Sequence, residues 1–389
     1  MLSKADEPET SESTQELYVM VKNNMNKIEE SLGVGVCGCG KISKIYLENM
    51  TRRFSNLHVI SCCAGHLEHA KRRAIEFNIE ATTYDAMLRD ERIQLVVILT
   101  PVPTHADLIR KALLAGKHVY SEKAICLNVE EAKDLQKMAR ERGLYLCVAP
   151  DTFLGEALQT ARRTIDTGKI GKVTGFSISA NRNQDILGAM FSFLNLPGGG
   201  IDLDYGIYYI TALVSLLGPI AEVTAIEDNP KPRRKNPIPQ SSEFGREYNS
   251  PNVSRVAAIL KTKSGIPGTI FLNSESIITD LAHFYIYGTE GVLTLCDANR
   301  FGGIVRRITM GSDYNRLQEE NIDLGLPFED NARGVGTSEE ASAILSEEKS
   351  RMDCAMAIHV LDILKTMEES NRIGKTLIVS TNCERPKAL

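Results

Sequence analysis

The stretch Leu32-Gly33-Val34-Gly35-Val36-Cys37-Gly38-Cys39-Gly40-Lys41-Ile42-Ser43 admits two registers, and the choice between them decides the fold. Read literally, Gly33, Gly35 and Gly38 match G-x-G-x-x-G, but that register buries the glycines inside an apolar run with strand character. A dinucleotide turn needs a strand that ends, a tight turn that lets backbone approach a pyrophosphate, and a helix whose amino end faces the anion. Gly38-Cys-Gly40 meets this requirement, because Ile42, Ile45, Tyr46 and Met50 follow at helical spacing. The stretch therefore reads as strand Leu32 to Cys37, a phosphate turn at Gly38 and Gly40 with Lys41 and Ile42 beside it, and a helix from Lys41 to Arg53. Ser43 stands where a third Gly would allow close helix packing.

Outward from this turn the alternation repeats. Strands are expected at Leu57 to Cys63, Gln94 to Leu99, His118 to Ser121 and Tyr145 to Val148. Helices are expected at Leu67 to Phe77, Thr104 to Ala115 and Val129 to Arg142. Gly116 and Gly143 serve as helix stops, and Asn128 as an N-cap backed by Glu131. This series predicts an α/β unit, a parallel sheet with helices on both faces. After the second strand, where an acidic residue usually binds the ribose 2′-hydroxyl of NAD, Gly65 and His66 stand instead. His66 is read either as a neighbour of a 2′-phosphate or as an exposed helix start, so NAD is expected and NADP stays open. His66 and His69 have no third ligand nearby, and no metal is expected.

After Pro150 the order changes. A helix from Leu154 to Thr167 and a Gly-led helix from Ile201 to Leu217 precede β-rich runs at 221–228, 253–263, 267–276, 282–288, 290–296 and 303–310. A helix from Ser350 to Glu369 and a strand from Thr376 to Val379 close the chain. This order predicts an α+β unit on a large, open, mostly antiparallel sheet. The proline-rich basic stretch at 229–240 reads as a solvated loop. Before the first strand, residues up to about 15 read as a tail, and Thr14 to Glu30 as an amphipathic helix with Leu17, Val21, Met25 and Ile28 on one face. The expected domains are a 1–31 extension, a 32–150 Rossmann dinucleotide-binding domain and a 151–389 substrate and oligomerisation domain. The length of 389 residues agrees, at about 150 per domain.

Composition narrows the partners. A net charge of −5 with no basic half argues against nucleic acid. No apolar run reaches membrane-spanning length, since Tyr205 to Val223 is interrupted by Gly, Thr, Ser and Pro, so no membrane partner is expected. Nine cysteines without framework spacing, and an acidic polar start, predict a reducing cytoplasm.

Two further segments make the reading specific. Thr100-Pro101 through His105, then Gly116-Lys-His-Val119 and Glu122-Lys123-Ala124, resemble the end of the dinucleotide domain in the glucose-fructose oxidoreductase/myo-inositol dehydrogenase (Gfo/Idh/MocA) family. Gly198-Gly-Gly200 and Asp204-x-x-x-Tyr208 are similar to the family's Gly-Gly-Gly helix with Asp-x-x-x-His. Cys383-Glu-Arg-Pro386 matches its tail. The resemblance implies cofactor contacts at Gly38, Gly40, Lys41, Ile42, His66, Thr100, Pro101, His105, Glu122 and Lys123. It also implies a homo-oligomer formed through the open sheet, and a cofactor that stays tightly bound.

The chemistry has its own rationale. Oxidising a secondary alcohol requires hydride loss to nicotinamide and proton loss to a positioned base. Asp204 and Tyr208 are four apart on a predicted helix and share a face. Lys123 follows a strand's carboxyl end, where open α/β sheets bind ligands. These three are the expected catalytic residues, with Lys123 hydrogen-bonding the alcohol oxygen. Tyr208 replaces the family's His, as in the glucose-fructose oxidoreductase branch. A phenol ordinarily titrates near pH 10 against about 6.5 for imidazole, so Tyr208 serves as a base near neutrality only with Lys123 or the nicotinamide's positive charge beside it. Ala124 replaces Pro, and Thr211 stands where many members carry a second Asp.

Asp151, Phe153, Asn181 and Asn183 are expected to approach the substrate together with Asp204 and Tyr208, and such polar groups suit a sugar or glycoside. Ala149-Pro-Asp-Thr-Phe-Leu-Gly155 resembles a bacterial subgroup that includes glycoside 3-oxidases of the C-glycoside (puerarin) oxidising type, which implies attack at a glucosyl C3 hydroxyl. The alternatives are a polyol or inositol dehydrogenase with exchanging NAD, and a non-catalytic NAD-binding regulatory protein.

Overall fold

The computed structural model describes residues 31–279, 281–311, 314 and 316–389. The expected Thr14 to Glu30 helix lies outside them. The chain alternates β1 (Leu32–Cys37), α1 (Ser43–Arg52), β2 (Leu57–Cys63), α2 (Leu67–Phe77), β3 (Glu80–Ala81), α3 (Tyr84–Arg89) and β4 (Leu95–Ile98). It continues through α4 (His105–Leu114), β5 (His118–Ser121), α5 (Val129–Glu141) and β6 (Leu146–Val148). All strand pairs in this sheet are parallel and the order is β3-β2-β1-β4-β5-β6, the doubly wound arrangement with its switch point between β1 and β4. Its strands are apolar and buried, as a sheet covered on both faces demands. Gly33 and Gly35 lie inside β1, where packing needs them. A Cβ on Gly33 would sit 1.8 Å from Arg92 O, and one on Gly35 2.7 Å from the Met87 side chain. The pair β3 and α3 was not expected; the first is two residues long, too short for an alternation to show.

The remainder comprises α6 (Glu156–Asp166), β7 (Val173–Asn181), α7 (Gln184–Met190), a π-helical turn at Asp202–Gly206, α8 (Ile207–Leu217), β8 (Ile220–Asp228), β9 (Arg233–Lys235) and β10 (Glu247–Asn249). Then follow β11 (Arg255–Thr262), β12 (Pro267–Asn273), β13 (Leu281–Gly288), β14 (Val292–Leu295), β15 (Val305–Met310) and β16 (Leu317–Ile322). The chain ends with α9 (Val335–Ser346), α10 (Cys354–Ile373) and β17 (Leu377–Ile378). Nine strands form one sheet in the order β16-β15-β14-β13-β7-β12-β11-β8-β17. It is antiparallel except for β7 with β12, hence mixed. One face is packed under α8 and α10, and the strands alternate buried and exposed residues accordingly. Helix α10 also packs on α5 and β6, so it lies against both sheets.

The stretch at 229–240 departs from the solvated loop expected of it. It forms the short hairpin strand β9, and Arg234 is fully buried between Asp185 (3.0 Å) and Glu275. A buried guanidinium requires such carboxylates. Helix α9 was also unexpected, since its small and polar residues carry no apolar stripe.

Candidate active site

The turn after β1 and the segments after β4 and β5 converge on one cleft, of about 520 Å³, whose opposite wall comes from the second sheet and its helices. Gly38 has φ +113° and a Cβ there would meet the Leu99 backbone at 2.7 Å, so only glycine serves. At Gly40 a Cβ would meet nothing within 4 Å, so the backbone faces open space. Ser43 Oγ donates to Gly40 O at 2.7 Å, and Arg73 of α2 donates to both Ser43 Oγ (3.1 Å) and Gly40 O (3.2 Å), fixing the turn. Gly40, Lys41, Ile42, Thr100, Pro101, Glu122 and Lys123 all line the cleft. An accessible backbone turn ahead of a helix, at the switch point of a parallel sheet, suits a dinucleotide pyrophosphate.

Three of the expected cofactor residues do not line the cleft: Gly38, which shapes the turn, and two that stand elsewhere. His66 is exposed at the start of α2, beside the His69 ring, and does not line the cleft. His105 is completely buried, with Nδ1 at 2.7 Å from Ala124 O and Nε2 at 2.7 Å from Thr100 O. It braces the two cleft-forming segments from behind, and burial pushes its pKa below the usual value.

Lys123, Asp204 and Tyr208 meet at the floor. Lys123 Nζ donates to Asp204 Oδ1 at 2.6 Å and to Asp204 O at 2.7 Å, and lies 5.2 Å from the centre of the Tyr208 ring. Asp204 sits in the π-helical turn, a feature that recurs at functional sites. Its other oxygen accepts from Arg182 Nη1 at 3.1 Å. Burial would raise the Asp204 carboxyl, but Lys123 and Arg182 outweigh it and hold the pKa below the ordinary range. Burial would lower the Lys123 ammonium, but the charges of Asp204, Tyr208 and Glu122 outweigh that and hold it above its usual value. Glu122 itself accepts from Tyr46 Oη at 2.8 Å and from the Lys123 amide at 3.1 Å. An ammonium has three donors, and two of those on Lys123 are taken by Asp204, leaving one for a ligand oxygen.

Asp151, Phe153, Asn181 and Asn183, expected on the approach to substrate, do not line the cleft. Asp151 is 1% exposed and its Oδ2 accepts from Gly334 N and Gly336 N; Phe153 is core. Asn181 accepts from Asn273, and Asn183 caps α7 by accepting from Ile186 N at 3.1 Å. The reason is strand parity. Along β7 the buried residues are Phe176, Ile178 and Ala180, so the next on that side is Arg182. Arg182 lines the cleft; the sequence reading passed over it, although the alternation of β7 is a signal that places it on that face. Arg333 and Asn299 also line the cleft, from irregular segments without any periodic signal. The segment from Leu187 to Leu194 covers the phosphate side. Lys41 Nζ reaches Met190 O at 3.5 Å and lies 4.3 Å from the Phe191 ring.

Known proteins share this fold. Residues 32–149 match the model of an oxidoreductase family with an NAD-binding Rossmann fold (GFO/IDH/MocA), and residues 158–294 match the C-terminal domain of the same family. The chain belongs to the Gfo/Idh/MocA oxidoreductase family, and is an oxidoreductase whose cofactor is NAD. An uncharacterized oxidoreductase of Schizosaccharomyces pombe is 31% identical over 183 residues, covering 46% of this chain and 49% of that protein, about half its length. The scyllo-inositol 2-dehydrogenase (NAD(+)) of Bacillus subtilis is 28% identical over 273 residues, covering 68% of this chain and 73% of that protein. A levoglucosan dehydrogenase in complex with NADH and L-sorbose superimposes with TM-score 0.79 at 18% identity, covering 90% of this chain and 99% of that one, which establishes the shared fold. Among the described residues no helix is long and apolar enough to cross a membrane.

Proposed function

We propose that the cleft oxidises a secondary hydroxyl of a sugar or polyol, with Tyr208 as the base, and that the favoured reaction takes a glucosyl C3 hydroxyl to the ketone. The observation that carries the reading is the ammonium of Lys123, 2.6 Å from Asp204 and 5.2 Å from the Tyr208 ring, on the cleft floor next to the phosphate turn. NAD, held along Gly38, Gly40, Ile42, Thr100 and Pro101, supplies a hydride acceptor when bound. The free donor of Lys123 hydrogen-bonds the substrate oxygen and stabilises developing alkoxide. Tyr208 takes the hydroxyl proton. Asp204, fixed between Lys123 and Arg182, orients the ammonium instead of titrating. The segment from Leu187 to Leu194 lines the cleft beside the phosphate turn and would cover a bound cofactor there, which suits tight retention.

The inositol reading is favoured by the scyllo-inositol 2-dehydrogenase, similar over 68% of this chain, and implies freely exchanging NAD. The test is mass spectrometry of the purified protein for nicotinamide, followed by a panel of scyllo-inositol, levoglucosan, glucose and glucosides scored for NADH and for ketone position by NMR. Ketone at C3 of a glucoside supports the favoured reaction, and oxidation of inositol alone supports the second. Bound NAD without any oxidation leaves a regulatory protein.

We read residues 32–150 as the dinucleotide unit, 151–389 as the substrate and oligomer unit and 1–31 as an added arm. The outer face of the nine-stranded sheet exposes Ile226, Ile259 and Phe271, which supports a homo-oligomer through that face. Nine free thiols suit the cytoplasm.

A further inference from the structure

One cation in the cleft has no part in the chemistry above. Arg333 lines the same wall as Tyr208 and Asn299. Its Nη1 donates to Asn331 Oδ1 at 2.7 Å, its Nη2 to Asn299 Oδ1 at 2.6 Å, and its guanidinium lies 5.7 Å from the Phe301 ring. Burial works against its charge, but the Tyr208 phenol and the Asp151 carboxylate outweigh burial and hold the guanidinium above its ordinary value. Lys123 and Arg182 share the Asp204 carboxylate at 2.6 and 3.1 Å, whereas among the described residues no carboxylate lies within ion-pair distance of Arg333. Neutral partners orient this guanidinium without neutralising it.

The segment that carries it is held on both sides. Asn49 Nδ2, from α1, donates to Arg333 O at 2.8 Å and to Asn331 O at 2.9 Å. Gly334 N and Gly336 N donate to the buried Asp151 Oδ2 at 2.9 and 3.2 Å. Gly334 has φ +103°, and a Cβ on Gly336 would come within 2.7 Å of Tyr120 Oη and 2.8 Å of Asp151 Cβ. The backbone can wrap the Asp151 carboxylate this closely only with glycines at both places.

We propose that Arg333 is a positioning residue that complements negative charge on the Tyr208 oxygen during proton abstraction, and that Asp151, through the amides of Gly334 and Gly336, fixes the segment presenting it. The inference rests on the reading of Tyr208 as the base. A cation beside a phenol favours the phenolate, and one already oriented needs no reorganisation as charge develops. The charged and titratable groups around this pair are Lys123 and Glu122 after β5, Asp204 with Arg182, and Asp151 and Tyr46 behind Arg333. Arg333 thus adds a second cation, beside Lys123, for a tyrosine that stands in place of histidine.

The experiment is the pH profile of NADH formation on the best substrate of the panel, for the wild type, Arg333→Met, Arg333→Lys and both in a Tyr208→Phe background. For Arg333→Met the acidic limb of kcat moves alkaline by at least about one pH unit, so kcat near neutrality falls about tenfold or more. NAD affinity and KM change little. Arg333→Lys keeps the charge, recovers most of that shift, and carries the test should Arg333→Met fail to fold. In the Tyr208→Phe background neither substitution changes the rate further. An unmoved limb, or an equal loss in both backgrounds, overturns the role of Arg333. A fully active Tyr208→Phe, or no NADH from any substrate, removes the base reading itself and is told apart by the wild-type and Tyr208→Phe profiles alone.

Discussion

The two walls of the cleft are built on different principles. The wall from the first sheet is made of the turn at Gly40, the Thr100-Pro101 bend and the segment that carries Glu122 and Lys123, all at strand ends beside one switch point. The wall from the second sheet is made of side chains from separate places, with Arg182 after β7, Asp204 and Tyr208 around a π-helical turn, and Arg333 from an irregular segment. Backbone chemistry is the same in every member of a fold, so the first wall suits an invariant cofactor. Side chains vary, so on the proposed reading the second wall, together with Lys123, sets reaction and substrate.

This contrast is sharpest in the effect of Tyr208→Phe. Turnover should fall at least about a hundredfold, the usual scale of acid/base contributions, while the NAD dissociation constant measured by fluorescence titration stays near that of the wild type. A variant that also loses NAD would erase the division between the walls. The reverse pattern belongs to Gly38→Ala. With φ +113° and the Leu99 backbone 2.7 Å from the new Cβ, it should lose about 1–3 kcal/mol of stability and bind NAD at least about tenfold more weakly. Gly40→Ala meets no atom within 4 Å, so its melting temperature should be unchanged even where NAD affinity drops. Together the two separate folding of the turn from its use.

The smallest effect lies outside both walls. Glu227 on β8 is raised to about 8 from an ordinary 4.5, first by burial and then by Asp202 and Glu368. Because the folded chain holds this proton more tightly than the unfolded one, its contribution is fully present below about pH 4.5 and is lost as pH rises through about 8. Glu227→Gln should therefore raise the melting temperature by a few degrees at pH 8, hardly change it at pH 4.5, and leave kcat alone. A changed kcat would show that the second sheet transmits strain to the cleft.

The same contrast explains what the sequence disclosed. Apart from β3 and α3, the first sheet and its helices were legible almost to the residue, with β2, α2 and β5 at their expected limits, because buried parallel strands and capped helices leave dense local signals. The register at Gly38 and Gly40 followed from the helix behind it. In the second wall, Asp204 and Tyr208 were legible because one helix carries both and family resemblance marks them. Asp151, Asn181 and Asn183 were misjudged because polarity alone does not say which way a side chain points. Arg182 was one residue from two of them, on the opposite face of the strand. Arg333 stands more than a hundred residues from Tyr208 in a segment with no period, and only the folded chain brings them together.

The cysteines of the first sheet give the molecule a built-in chemical reporter. All nine thiols are free and all but Cys296 are buried, so an alkylating reagent has little to react with until the chain opens. Cys39 occupies the turn itself, its Sγ donating to Cys63 O at 3.4 Å, and the neighbouring Cys62 thiol and the charge of Arg73 hold its pKa below the ordinary thiol value against burial. The thiol in the phosphate turn is thus inclined to react once uncovered. The rate of its modification, with and without NAD, measures how often that turn opens and how firmly nucleotide keeps it shut.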